Sequence, residues 1–71
     1  MRILLIDDEP MYFKMMVKEL EKTGYQLDYA RTGNEGLIAV PSKNPDMVIV
    51  DLNLPDISGF EVLKKLRQFS N

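Results

Sequence analysis

Two unbroken apolar runs, "ILLI" at residues 3–6 and "MVIV" at residues 47–50, constrain the fold of this chain more than any other feature. A strand with one wet face alternates apolar and polar side chains. Neither run contains a polar residue, so both read as strands covered on two faces, the condition found in parallel sheets. The first predicted strand spans residues 2–6 and stops at Asp7; the other spans residues 46–50 and stops at Asp51.

The segments between them carry helical spacing. Pro10 suits the first turn of a helix, Tyr12, Phe13, Met16, Val17 and Leu20 recur at helical intervals, and Gly24 stands where a helix end is expected. "YQLDYA", residues 25–30, sets Tyr25, Leu27 and Tyr29 against Gln26 and Asp28, the alternation of a strand with one wetter face at a sheet edge. Thr32 and Glu35 have capping-box spacing and open a second helix, which Pro41 is expected to end or bend before the loop "SKNP". Ser58 and Glu61 repeat that spacing ahead of a third helix carrying Phe60, Val62, Leu63 and Leu66. The order β-α-β-α-β-α predicts a single α/β domain over residues 1–71, with parallel strands joined by right-handed crossovers.

Composition removes several functions. With 71 residues, a core of this size barely offsets the chain entropy lost on folding. There is no cysteine and no histidine, which excludes disulfides, zinc clusters and His-based triads. The net charge is −2 and the basic residues are dispersed, so no direct nucleic-acid binding is expected. "MRILLID" is too short an apolar run for a signal peptide or a membrane span, and a cytoplasmic location is the expectation.

In a parallel sheet all strand carboxyl ends lie along one edge. Asp7 and Asp8 after the first strand, and Asp51 after the third, therefore converge if those strands are neighbours. Carboxylates crowded together repel, and a hard divalent cation with oxygen ligands is the simplest counter-charge; Mg²⁺ suits such a site because it accepts a few protein oxygens and a phosphate oxygen. Taken alone, Asp7 and Asp8 also fit a solvated turn capping the first helix. Glu9 reads as a first-turn helix acid. Met11, Met15 and Met16 read as packing filler, and Tyr25 and Tyr29 as residues packed against helices. Phe13 and Val17 fit either an added contact surface or a wide buried stripe.

"LLIDDEP" and "VIVDLNLPDISGFEVL", with "TGNEGL" as a softer third match, make the chain resemble the receiver domain of two-component response regulators. The resemblance implies a doubly wound, flavodoxin-like parallel sheet, of which this chain supplies the N-terminal portion: three of five βα units, in strand order 2-1-3. It implies that Asp51 is the carboxylate nucleophile that accepts a phosphoryl group from a histidine kinase or phosphotransfer protein. Asp8 and Asp51 match the side-chain Mg²⁺ ligands, Asp7 the further acid that holds a metal-bound water, and the backbone carbonyl of Asn53 the third protein ligand. Pro55 and Gly59 match positions that shape the loop. The family's hydroxyl residue after strand four and lysine after strand five match nothing here; Lys14, Lys18, Lys64 and Lys65 lie on predicted helices. No separate enzymatic machinery is visible, so any chemistry is limited to Mg²⁺-dependent self-phosphorylation and autodephosphorylation at Asp51.

A second reading follows from the strand order. A receiver cut to 2-1-3 leaves the third strand at an open edge although its apolar run suits a centre. The expectation is then an unphosphorylated interaction module or a homo-oligomer. It would assemble through the strand-three edge, with two copies meeting antiparallel, or through the face of the first helix.

Overall fold

The computed structural model describes residues 1–69. β1 (Arg2–Ile6) is the central strand, paired in parallel with β2 (Gln26–Ala30) on one side and β3 (Met47–Val50) on the other. The helices α1 (Pro10–Leu20), α2 (Gly33–Lys43) and α3 (Gly59–Phe69) alternate with the strands, as the sequence predicts. This is the doubly wound, flavodoxin-like arrangement with strand order 2-1-3. Ile3, Leu4, Leu5 and Ile6 are all buried, which explains why the first run tolerates no polar side chain on either face.

The two faces are covered unequally. Leu4, Ile6 and Ala30 form the core with Val62 of α3, and Leu37, Val40 and Leu66 of α2 and α3 pack around them. Tyr29, next to Ala30 in β2, points to the opposite face, where its ring stacks on Phe13 of α1 at 4.5 Å between centroids and 12° between planes. Val48 and Val50 of β3 face the core, but Met47 and Ile49 on the other face are 45% and 39% exposed. The second apolar run is therefore an edge strand with only one covered face. Its composition suits a centre; its place in the sheet is an edge.

Local signals account for most helix ends. Thr32 caps α2, its Oγ1 accepting the Glu35 N–H at 3.1 Å while its hydroxyl donates to Glu35 Oε2 at 3.2 Å. Ser58 Oγ accepts the Glu61 N–H at 3.1 Å at the start of α3. Four expectations need correction. α2 runs through Pro41 to Lys43, so Ser42 and Lys43 are helical, not loop. The helix stops instead at Asn44, whose left-handed backbone (φ 50°) lets its N–H reach the Val40 carbonyl at 2.9 Å. α1 ends at Leu20, and a turn over residues 21–24 leads to Gly24 at φ 78°, a conformation that favours glycine. Met11 and Met15, expected as filler, are 67% and 55% exposed, because α1 half-buries only the side that carries Phe13, Met16 and Leu20 and turns its other sides to solvent. Tyr25 lies outside the β2 ladder and is exposed, as is Val17; the apolar stripe of α1 is thus narrow, and of Phe13 and Val17 only Phe13 is half-buried.

Candidate metal and phosphoacceptor site

The register decides the site. Ile6 of β1 lies level with Ala30 of β2 and with Val50 of β3, so the strands end together. The ladder continues one step further on each side: the Asp7 N–H donates to the Ala30 carbonyl at 3.0 Å, and the Asp51 N–H donates to the Ile6 carbonyl at 2.8 Å. Two acids are thereby fixed at the same height on neighbouring strands. One carboxylate oxygen from each of Asp7, Asp8 and Asp51 lies within 4.8 Å of the other two, Asp7 being buried and the other two half-buried. The convergence expected from the sequence is present.

Each carboxylate has a different local tie. Asp7 Oδ1 accepts the Glu9 N–H at 2.9 Å, which turns the chain toward α1. Glu9 itself occupies the position before the first helical residue and makes no side-chain cap. Asp51 Oδ1 accepts the Asn53 N–H at 3.2 Å, so the backbone at Asn53 is drawn next to the cluster. Among the described residues no hydrogen bond reaches the Asp8 carboxylate, which leaves its oxygens available. Gly59 sits directly on the backbone of this segment: its N–H donates to the Leu52 carbonyl at 3.0 Å, and a Cβ there would press on the Asp51 carbonyl and come within 2.7 Å of Leu52 Cα. Glycine is needed there because the start of α3 touches the strand end.

The surroundings carry two further electrostatic features. Burial pushes the Tyr29 hydroxyl above the ordinary tyrosine value; Arg31 opposes the rise, and Asp7 and Asp8 add to it. Asp56 is held below the ordinary carboxylate value, chiefly by the Asn34 N–H, against a weaker contrary effect of desolvation and with the Gly33 N–H acting in the same direction. Sequence reasoning did not single out Asp56. Its partners at the start of α2 lie 22 and 23 residues upstream, a pairing that no local pattern announces. Lys14, Lys18, Lys64 and Lys65 lie on α1 and α3, as expected.

Three carboxylates converging at the carboxyl edge of a parallel sheet supply hard oxygen donors suited to a divalent cation. Comparison with known proteins agrees. A model of the response regulator receiver domain matches residues 3–71. The chain is 37% identical over 67 residues to the alkaline phosphatase synthesis transcriptional regulatory protein PhoP of Bacillus subtilis, a match covering 94% of this chain and 28% of that protein. It is 46% identical over 65 residues to the transcriptional regulatory protein KdpE of Mycobacterium tuberculosis, covering 92% of this chain and 29% of the relative. The chain thus spans under a third of the curated relatives it matches. Among solved structures, the response regulator TrrA of Thermotoga maritima in complex with Mg²⁺–BeF superposes with a TM-score of 0.89 at 42% identity, over 97% of this chain and 60% of that one. The complex of the histidine kinase ThkA with TrrA gives a TM-score of 0.85 at 43% identity, over 94% of this chain and 58% of the other. With nearly its whole length matched by the family model, and with the fold and the acid cluster that go with it, this chain belongs to the response regulator receiver domain family.

Proposed function

We propose that this chain accepts a phosphoryl group on Asp51 from a phosphohistidine donor, a histidine kinase or a phosphotransfer protein, with Mg²⁺ held at the acid cluster. The observation that carries the reading is the approach of the Asp7, Asp8 and Asp51 oxygens to within 4.8 Å of one another at the end of β1 and β3. The donor set fits the ion: Asp8 and Asp51 would ligate it through carboxylate oxygens, the Asn53 carbonyl would complete the protein ligands, and Asp7 would hold a bound water. When bound, Mg²⁺ supplies the positive charge that lets an anionic phosphoryl group approach three carboxylates.

The chain's own residues do the rest. The Asp51 N–H bond to Ile6 fixes the backbone of Asp51 at the strand end, and one Oδ of its carboxylate would attack the incoming phosphorus. That oxygen forms the new O–P bond as the donor's N–P bond breaks, and the electron pair of the broken bond stays on the imidazole nitrogen. Asp51 becomes an acyl phosphate. Incubation with Mg²⁺ and a small phosphodonor, followed by mass measurement, tests this: the wild-type chain gains the mass of one phosphoryl group and Asp51→Asn gains none. Modification of Asp51→Asn at the wild-type rate would show that the nucleophile is another residue.

A second reading, pairing with a second copy, is favoured by the exposed apolar surface. Met47 and Ile49 on the open side of β3 share a sheet face with α1, whose Met11, Tyr12 and Met15 are also exposed. The accessible surface is 5056 Å². A folded monomer of this mass exposes about 4500 Å² by the usual scaling. The excess, about 500 Å², approaches one partner's share of a small specific interface. Its assembly would cover the β3 edge or the α1 face. A melting temperature that rises with protein concentration supports this reading, and a monomer with a concentration-independent melt excludes it. Among the described residues no helix is long and apolar enough to cross a membrane.

A further inference from the structure

We propose that Asp56 is a positioning residue for the acid cluster: its carboxylate fastens the loop carrying Asp51 and Asn53 to the N-terminus of α2, so that cation binding and the capping of α2 are one coupled event. The proposal rests on the reading of Asp7, Asp8 and Asp51 as a Mg²⁺ site.

After β3 the chain must present the Asn53 carbonyl beside the carboxylates before it turns into α3. Asp51 is fixed by the sheet, through its N–H bond to Ile6. Among the described residues Asn53 is hydrogen-bonded only to the Asp51 side chain, at 3.2 Å. The next polar anchor is Asp56, whose Oδ1 accepts the Gly33 N–H and whose Oδ2 accepts the Asn34 N–H, both at 2.8 Å. Among the described residues these are the hydrogen bonds that join residues 53–58 to an element other than the strand and helix they connect. Leu54 and Ile57 pack against the core on either side of Asp56, which holds the loop down. Apolar contact is non-directional and does not orient a carbonyl; a bidentate, charge-assisted pair of hydrogen bonds does.

The partners suit the role. Gly33 and Asn34 begin α2, where backbone N–H groups have no intrahelical acceptor and the helix presents its positive end. One carboxylate therefore closes two open donors and pins the loop at the same time. Thr32 caps the same helix through the Glu35 N–H and, among the described residues, makes no hydrogen bond to the loop. Because coupling between two sites is reciprocal, a cation that orders Asn53 must also strengthen the Asp56 clamp, and loss of the clamp must weaken the cation.

The experiment titrates the ¹⁵N-labelled full chain with MgCl₂ and follows the Asn53 amide, in wild type, Asp56→Asn and Thr32→Ala. Asp56→Asn is expected to weaken Mg²⁺ binding about tenfold, the low end for groups that orient metal ligands. Thr32→Ala, which loses the other cap of the same helix end, is expected to keep the wild-type affinity. In wild type, saturating Mg²⁺ is expected to slow hydrogen exchange at Gly33 and Asn34 relative to Glu35, and this measurement decides the matter if Asp56→Asn does not fold. Wild-type affinity in a folded Asp56→Asn chain, an equal loss in Thr32→Ala, or unchanged relative exchange at Gly33 and Asn34 overturns the proposal while leaving the metal site standing. A wild-type chain that does not bind Mg²⁺ through Asn53 overturns the metal reading and this proposal with it.

Discussion

Replacing Asp8 with asparagine should change the sign of its effect on stability when Mg²⁺ is added. Asp8 is the cleanest member of the cluster to change, since among the described residues its carboxylate accepts no hydrogen bond, whereas Asp7 and Asp51 each accept a backbone N–H. It faces two like charges, with oxygens no more than 4.8 Å apart. At that separation a pair of unit charges repels by about 0.9 kcal/mol in a bulk-water dielectric, the floor of the range for a cluster in which Asp7 is buried and the other two acids are half-buried. Two pairs give about 2 kcal/mol of relief, less in salt, since a Debye length of about 10 Å at 0.1 M already screens part of it. For a domain this small each kcal/mol moves the melting temperature by about 4–8 °C, so Asp8→Asn without metal should melt several degrees above wild type at low ionic strength. With Mg²⁺ the order reverses. Wild type gains about 2.7 kcal/mol at a hundredfold excess of the ion over its dissociation constant, while the variant has lost a charged ligand and gains little. Circular-dichroism melts in EDTA and in MgCl₂ measure both arms. An Asp8→Asn chain that melts below wild type in EDTA, or gains as much from MgCl₂, refutes the reasoning that the three acids form a repulsive, cation-ready cluster.

Other outcomes follow from the same structure. Gly59→Ala places a methyl group against the Asp51 carbonyl and Leu52 Cα, and should cost about 1–3 kcal/mol in urea unfolding and weaken Mg²⁺ binding together. Leu4→Ala removes a side chain with no exposure from the middle of the core, at about 2–5 kcal/mol. A chain of this length holds only about 4–10 kcal/mol in all, so the variant should lose its cooperative melt or nearly so. Asp56 is depressed below the ordinary carboxylate value of 3.8 by the Asn34 and Gly33 N–H groups. A depressed folded value contributes stability above the unfolded value and loses it as pH falls through the folded one, so the margin of wild type over Asp56→Asn in urea unfolding should be full at neutral pH and shrink below 3.8. A margin that widens on acidification would contradict the assigned hydrogen bonds.

The strands, the helix starts and the acids of the site were legible because their signals are local. An unbroken apolar run needs no partner to be recognised, and the Thr32 and Ser58 caps use hydroxyls within one turn of the N–H groups they accept. The end of α2 was misread for the same kind of reason: Pro41 removes one hydrogen bond, but the helix is closed three residues later by the left-handed backbone of Asn44, and sequence alone does not say which of two nearby stops prevails.

The alternation of strand and helix and the carboxylates at the strand ends can be read along the chain, since both depend on residue type and spacing. Which groups lie side by side depends on the folded arrangement. The level register of Ile6 with Val50 brings Asp51 to Asp7 and Asp8, because hydrogen-bonded parallel strands fix relative height where a linear pattern cannot. The exposure of Met47 and Ile49 was set in the same way, because "MVIV" has the composition of a central strand and only the placement of the covering elements leaves one of its faces open. The clamp of Asp56 on Gly33 and Asn34 arises because the segments leaving β2 and β3 both start at the carboxyl edge of the sheet, so that groups distant in the chain meet through the geometry of the fold.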